Sequence, residues 1–242
     1  AEKRHLCEFY DCSPLVLKIV SASIQSLFDG SIAAFLAEDT MVFNGLKKLL
    51  DQQFSRLSEP EQNILYWLAI NREWTTVSTL VADIVPTLTR VTLLESLESL
   101  TWRVLIEQQR GQYTLQPVLM EYVTDRLVKQ LTAELLSLEL VLFRQYALLK
   151  TTVLNYIGES QRRLVVSPLA KNIQASFHNT QALKQHFQTV LQQLRDRPAP
   201  FFSYGIGNLI NLALQLQLDL TGYDFSTAKF VRSTFKANSS LG

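Results

Sequence analysis

The chain has 242 residues, of which 47% are hydrophobic, and its formal net charge is +1 at pH 7. This length and composition allow one large or several small hydrophobic cores and exclude an intrinsically disordered chain. The balanced charge excludes a broad electrostatic surface for nucleic acid or lipid. No run of about 18 apolar residues indicates a membrane span, and the first residues do not form a signal peptide. We therefore expect a globular, cytoplasmic protein.

Residues 1–57 predict a small helical bundle. Apolar side chains recur every three or four residues from Leu15 to Phe28, which is the spacing of an amphipathic helix. Asp29 and Gly30 end this helix. A short second helix follows from Ile32, and a third is marked by apolar residues between positions 46 and 57.

Residues 58–116 predict a winged helix domain with a β-hairpin wing. Ser58 and Glu61 have the spacing of a capping box, with Pro60 in the first turn of the helix that they start. The elements expected after this helix are a strand at 74–76, helices beginning at 77 and 89, and a hairpin of residues 104–107 and 113–115 with glycine in its turn. Helix, strand, helix, helix and hairpin is the order of a winged helix.

The remainder predicts a helical linker bundle at 117–197, a C-terminal helix within 198–218 and a tail at 219–242. Pro117 is well placed to begin the first of these helices, whose pattern continues as far as residue 149. In the tail, large apolar residues recur every five positions, which is typical of a pentapeptide-repeat β-helix: Leu220, Phe225, Phe230 and Phe235. The fold class is therefore mainly α, with the start of such a β-helix at its end.

The sequence contains no pattern that indicates catalysis. It has no glycine-rich phosphate loop ending in lysine, no nucleophile elbow and no zinc-protease motif. Three scattered histidines and two cysteines give no spacing suited to a metal ion. We expect the isolated chain not to be an enzyme and to hold neither a metal nor a cofactor.

A winged helix raises the question of DNA binding. Its third helix would enter the major groove and should present cations or amides to phosphates and base edges. This helix has Arg90 but also Glu95 and Glu98, and the wing adds only Arg110. Two phosphate contacts give little affinity at physiological salt, so we expect a packing module that does not bind nucleic acid.

Two motifs resemble the NB-ARC ATPases of the STAND class. The run from Cys12 to Val20 is similar to their Gly-x-Pro-Leu-Ala-Leu-Lys motif, whose proline contacts adenine. The run from Leu115 to Tyr122 is similar to their Met/Leu-His-Asp motif, whose histidine contacts the β-phosphate of ADP. The resemblance implies that Pro14 contacts adenine and that Gln116, at the histidine position, faces the phosphates. Cys12 stands where the family has glycine.

The wider chain resembles cyanobacterial NB-ARC proteins that carry C-terminal pentapeptide or WD40 repeats. The stretches that carry this resemblance are residues 13–20, 49–73, 93–100, 116–127, 207–216 and 219–226. It implies the regulatory part, beginning with an ARC1-like helical domain at 1–57, of a signalling ATPase that clamps ADP at rest and oligomerises with ATP. The implied partners are a P-loop nucleotide-binding domain and a C-terminal repeat domain that senses a signal.

Two alternatives remain open at this stage. A winged helix transcription regulator would show salt-dependent DNA binding through Arg90 and Arg110. An interaction scaffold would keep the fold without an ATPase domain, and a P-loop in the neighbouring coding sequence would argue against it.

Overall fold

The structure, a computed structural model, describes residues 2–9, 12, 16–17, 20–21, 24–25, 28–37, 41–150, 153–196, 204–219 and 221. The fold is mainly α, with one small antiparallel sheet of three strands in this part of the chain. The five-residue periodicity of the tail lies outside the described residues, because Leu220, Phe225, Phe230 and Phe235 all do.

The N-terminal region is helical, as predicted. Helices α1 (Glu2–Phe9), α2 (Ile32–Ala37) and α3 (Met41–Ser55) are described together with helical residues at 16–17, 20–21 and 24–25. A small group of buried side chains, the N-terminal cluster, joins α1, α2 and the helical residues between them: Leu6, Val16, Val20, Ile24 and Phe35.

The next elements follow the order predicted for a winged helix. They are α4 (Glu59–Asn71), β1 (Thr75–Thr76), α5 (Val77–Asp83), α6 (Arg90–Trp102), β2 (Ile106–Gln109) and β3 (Gln112–Leu115). The sheet order is β1-β3-β2 with both pairs antiparallel, and Ile106 is paired with Leu115. Arg110 and Gly111 form the two-residue turn of the hairpin, both with positive φ, as a tight turn between twisted strands requires.

The capping box predicted at Ser58 and Glu61 is present, and the helix predicted to begin at residue 89 is capped by Thr89. The Ser58 N–H donates to Glu61 Oε2 at 2.7 Å, which completes one half of the capping box at the start of α4. Glu61 Oε1 accepts a hydrogen bond from Ser99 Oγ of α6 at 2.6 Å, so the same carboxylate also joins two helices. Thr89 caps α6 by accepting from the Thr92 N–H at 3.1 Å.

The helical linker begins with α7 (Pro117–Ser137), which is shorter than predicted. The chain turns at Leu138, whose φ of 64° ends the helix in a left-handed cap. Helix α8 (Val141–Gln145) starts three residues later, and the carboxylate of Glu134 accepts from the Leu142 and Phe143 N–H groups at its start. Apolar residues continue across this break because both helices contribute side chains, such as Leu135 and Phe143, to the same core.

The remaining elements are α9 (Asn155–Gln161), a π-helical turn (Arg162–Val166), α10 (Ser167–Ala175), α11 (Thr180–Asp196) and α12 (Gly205–Gln215). Gly205 allows α12 to pack closely on α11, since a Cβ at this position would lie 2.6 Å from Leu194 Cδ2. One continuous group of buried side chains, the main core, extends from Leu50 to Leu218. The predicted boundaries at 57/58, 116/117 and 197/198 stay predictions, and all three lie within the span of this core.

We predict that Glu61→Gln lowers the free energy of unfolding by about 1–2 kcal/mol at pH 7, because Glu61 is buried and its charged form accepts several hydrogen bonds. Burial alone would raise the pKa of Glu61, but hydrogen bonds from Ser99 and Ser58, with the charge of Arg103, lower it below 4.5. The stabilisation is therefore present above pH 4.5 and is lost as the pH falls further. Urea titrations at several pH values measure it.

The control is Glu98→Gln on the exposed face of α6, which we expect to change stability by less than about 0.5 kcal/mol. A Glu61→Gln variant as stable as the native chain at pH 7 would contradict the role given to this carboxylate.

Candidate functional site

Of the two residues predicted to contact a nucleotide, the structure describes only Gln116. Pro14 lies outside the described residues. Gln116 is buried and directly follows β3 as the N-cap residue of α7, where its carbonyl accepts from the Met120 N–H at 2.8 Å. Pro117 occupies the first turn of α7, as its sequence position predicted.

Cys12 has the backbone conformation that favours glycine. Its φ is 53°, in the left-handed region, which costs a residue with a Cβ roughly 1–2 kcal/mol. The position at which the resembled motif has glycine is therefore one at which this chain also needs glycine-like geometry. The conformation brings the Cys12 N–H to the Cys7 carbonyl at 2.7 Å.

A residue from each of the two motifs contributes to the same apolar group. Val118, two positions after Gln116, packs against the N-terminal cluster. Val16, two positions after Pro14, is a member of that cluster and is fully buried. The first turn of α7 and the N-terminal helical region thus contact each other. Val118 also packs against the main core, so it connects the two groups.

The outer face of α6 is apolar and acidic. Val91, Leu94 and Trp102 are 65%, 43% and 80% exposed, and Glu95 and Glu98 are exposed beside them. These positions are three or four residues apart, or multiples of that, so they form one stripe along the helix. A helix that reads DNA would need cations and amides there. This stripe is suited to contact with another protein surface.

Sequence reasoning missed a buried polar network between the winged helix elements and the linker helices. Lys150 Nζ donates to both carboxylate oxygens of Asp83 at 2.7 Å and to Asn71 Oδ1 at 3.1 Å. Asn71 Nδ2 donates to Asp83 Oδ2 at 3.1 Å. The Lys150 and Asp83 side chains are only 5% and 8% exposed. Such a pair persists only if each charge is compensated and its remaining hydrogen-bonding capacity is used.

Gln161 and Tyr204 extend this network, and Asn208 forms a second buried set of hydrogen bonds with the residues before Lys150. Gln161 accepts from the Lys150 N–H and donates to the Ile70 carbonyl, both at 2.9 Å. Tyr204 OH donates to the Asp83 carbonyl at 2.8 Å. Asn208 donates to the Phe143 and Tyr146 carbonyls and accepts from the Leu148 N–H. The sequence offered one signal for these two sets of hydrogen bonds, which is a single polar residue in or directly after an apolar run. Lys150 directly follows the apolar residues 146–149, and Asn208 lies within the apolar run 206–210.

Other site types are absent from the part of the chain that the structure describes. No group of three or more histidine, cysteine or acidic side chains there could hold a metal ion. None of the helices in that part has both the length and the hydrophobicity of a bilayer-spanning segment.

Comparison with known proteins finds one informative similarity. The chain is 37% identical, over 253 aligned positions and 90% of its length, to an uncharacterized WD repeat-containing protein of Nostoc sp.. The chain spans about a fifth of that relative's length, since the match covers 20% of it. No family model matches the chain. No solved structure matches it either.

We predict that Asp83→Asn lowers the free energy of unfolding by about 3–5 kcal/mol, because it leaves the Lys150 ammonium buried without a countercharge. The double variant Asp83→Asn/Lys150→Met should recover a large part of this loss, since it removes both charges. Chemical denaturation of the native chain, both single variants and the double variant gives the coupling energy.

The matched control is the pair Asp125 and Lys129 on α7, which is joined at 2.8 Å but is more than half exposed. Its coupling energy should be below about 1 kcal/mol. Equal coupling energies in the double-mutant cycles for the two pairs would contradict this prediction, because they would show that burial does not strengthen the interaction between Asp83 and Lys150.

Proposed function

We propose that this chain is a non-catalytic regulatory and interaction module of a larger WD repeat protein. The observation that carries the proposal is the similarity over 90% of the chain to a WD repeat-containing protein about five times its length. A module of this size, followed by repeats, would connect the repeats to the rest of the protein. WD repeats form propellers that bind other proteins, so we propose a role in protein assembly.

The finer part of the proposal is a relay of nucleotide state. In the whole protein, a P-loop domain would hold ADP or ATP, Pro14 would contact the adenine, and Gln116 would face the phosphates. The left-handed conformation of Cys12 and the contact of Val118 with the N-terminal cluster support this arrangement. Gln116 would donate a neutral hydrogen bond, which is weaker than one from a charged group.

The exposed face of α6 supports the interaction role. Its stripe of Val91, Leu94 and Trp102 exposes apolar surface that a protein partner could cover. Within the proposal, this face contacts a neighbouring domain or a second copy of the protein.

We predict that ADP slows backbone hydrogen exchange in residues 116–127 of the full-length protein relative to a non-hydrolysable ATP analogue. Gln116→Ala should reduce this difference and weaken ADP binding about fivefold, as the loss of one neutral hydrogen bond of about 1 kcal/mol implies. Exchange measured by mass spectrometry and calorimetry with ADP test this expectation.

Gln109→Ala, on the exposed wing, is the control for this measurement. It should change neither the difference in hydrogen exchange between the two nucleotide states nor the affinity for ADP. Identical exchange of residues 116–127 in the ADP and ATP states would contradict the relay while leaving the interaction role in place.

We also predict that the 242-residue chain does not retard duplex DNA in an electrophoretic assay at about 150 mM salt, because few cations face outward from α6 and the wing. A complex that weakens with salt, and is lost in Arg90→Ala or Arg110→Ala, would instead support a transcription regulator.

A further inference from the structure

A cleft of about 460 Å³ lies where α4, α7 and the π-helical turn meet, and it is independent of the predicted nucleotide contacts. Two arginines from different elements line it, Arg72 after α4 and Arg163 in the π-helical turn. Its other lining residues are Glu121, Thr124, Asp125, Val128, Leu164 and Pro168. The volume is in the range of sites that bind small molecules.

Arg72 is held in place by its backbone and by Thr124. It caps α4 with a φ of 54°, a left-handed conformation that a residue other than glycine rarely adopts. Arg72 Nη1 donates to Thr124 Oγ1 at 3.1 Å, and the same hydroxyl donates to the Met120 carbonyl at 2.7 Å. Thr124 therefore fixes the guanidinium and leaves its other N–H groups for further partners.

Arg163 reaches the cleft from a local change in helix geometry. Pro168 has no N–H, so it cannot donate the usual helical bond to the Leu164 carbonyl. The Ser167 N–H donates to the Arg162 carbonyl five residues back, which is the π-helical pattern. Such one-turn π-helices occur frequently at functional sites. Here the turn places Arg163 and Leu164 on the cleft wall.

Neither guanidinium forms an ion pair with any carboxylate of the described residues. Asp125 is paired with Lys129 at 2.8 Å, and Glu121 acts on Arg72 only through longer-range attraction. Burial lowers the pKa of Arg72, and the positive charge of Arg163 lowers it further, whereas Glu121 opposes this effect. Arg72 and Arg163 therefore share a cleft with Glu121 and Asp125, but neither arginine forms an ion pair with these carboxylates.

We propose that this cleft binds a phosphoryl group, either as free phosphate or pyrophosphate or as the phosphate ester of a small molecule. The Arg72 guanidinium donates one hydrogen bond to Thr124 and has further N–H groups, Arg163 adds a second guanidinium, and a phosphate presents several oxygens and up to two negative charges that match these donors. The apolar wall of Val128, Leu164 and Pro168 would contact the organic part of an ester.

Glu121 makes the proposal sharply testable, because it lines the cleft and its charge is not paired with a lysine of the described residues, as that of Asp125 is, so it would repel a bound anion. Inorganic pyrophosphate is titrated into the isotopically labelled chain at constant ionic strength, and backbone amide shifts are followed by NMR. We expect saturable shifts centred on residues 72, 121, 124 and 163. Arg163→Gln should weaken the affinity at least about tenfold, since hydrogen bonds to charged groups are strong. Glu121→Gln should tighten it.

The matched control is Arg162→Gln, which removes an exposed arginine next to Arg163 that does not line the cleft. It should leave the affinity within about twofold. A second titration with glycerol 1-phosphate identifies the source: added shifts at residues 128 and 164 indicate an ester, and shifts confined to the arginine positions indicate free phosphate.

The absence of saturable shifts in the native chain, or equal weakening by Arg162→Gln and Arg163→Gln, would overturn the proposal. Weakening by Glu121→Gln would overturn it too. Each of these results leaves the proposed nucleotide relay unaffected, because that relay is measured through Gln116 in the full-length protein.

Discussion

The ion pair between Lys150 and Asp83 is the interaction on which the rest of this structure depends. Asp83 ends α5 among the winged helix elements, whereas Lys150 follows α8 in the linker bundle. Because both charges are buried, neither side can move away without exposing an apolar core or leaving a charge uncompensated, and both are costly. Asn71 and Tyr204 bind the same aspartate from α4 and from the residue before α12. Asn71 and Lys150 contact the carboxylate and Tyr204 contacts the backbone carbonyl, so elements far apart in sequence are fixed around one residue.

This network limits where a conformational switch can act. The main core joins buried side chains between Leu50 and Leu218 in one group, so the described parts of the winged helix and the linker form one packed unit. The N-terminal cluster is separate and much smaller, and Val118 packs against both groups. A change driven by nucleotide would therefore cost least at the contact between α7 and the N-terminal region. In the proposed relay, the winged helix and linker would move together, carrying the α6 face with them.

The sequence predicted the elements well because local signals determine them. Ser58 with Glu61, Thr89 and Pro117 each mark a helix start through backbone geometry and capping, which act within a few residues. The sequence did not predict the end of α7 at Ser137. The residue that ends the helix with a positive φ is Leu138, whereas glycine is the residue that usually indicates such an end. The Lys150 network was missed for a different reason. Its partners are 67 and 79 residues away in sequence, and only the folded core brings them together.

Helix α7 contributes to both of the proposed ligand contacts, the nucleotide contact at Gln116 and the anion cleft. Gln116 caps its start, Val118 contacts the N-terminal cluster, and Thr124 positions Arg72 in the cleft two turns further along. A helix packed on both sides cannot bend easily, because its apolar neighbours are close-packed. An anion in the cleft and a nucleotide phosphate near Gln116 would therefore act on one rigid element. Coupling between the two ligands would require that α7 have two positions against the N-terminal cluster. Each ligand could then favour one position and so change the affinity for the other ligand, whereas a helix with one fixed position could not couple them.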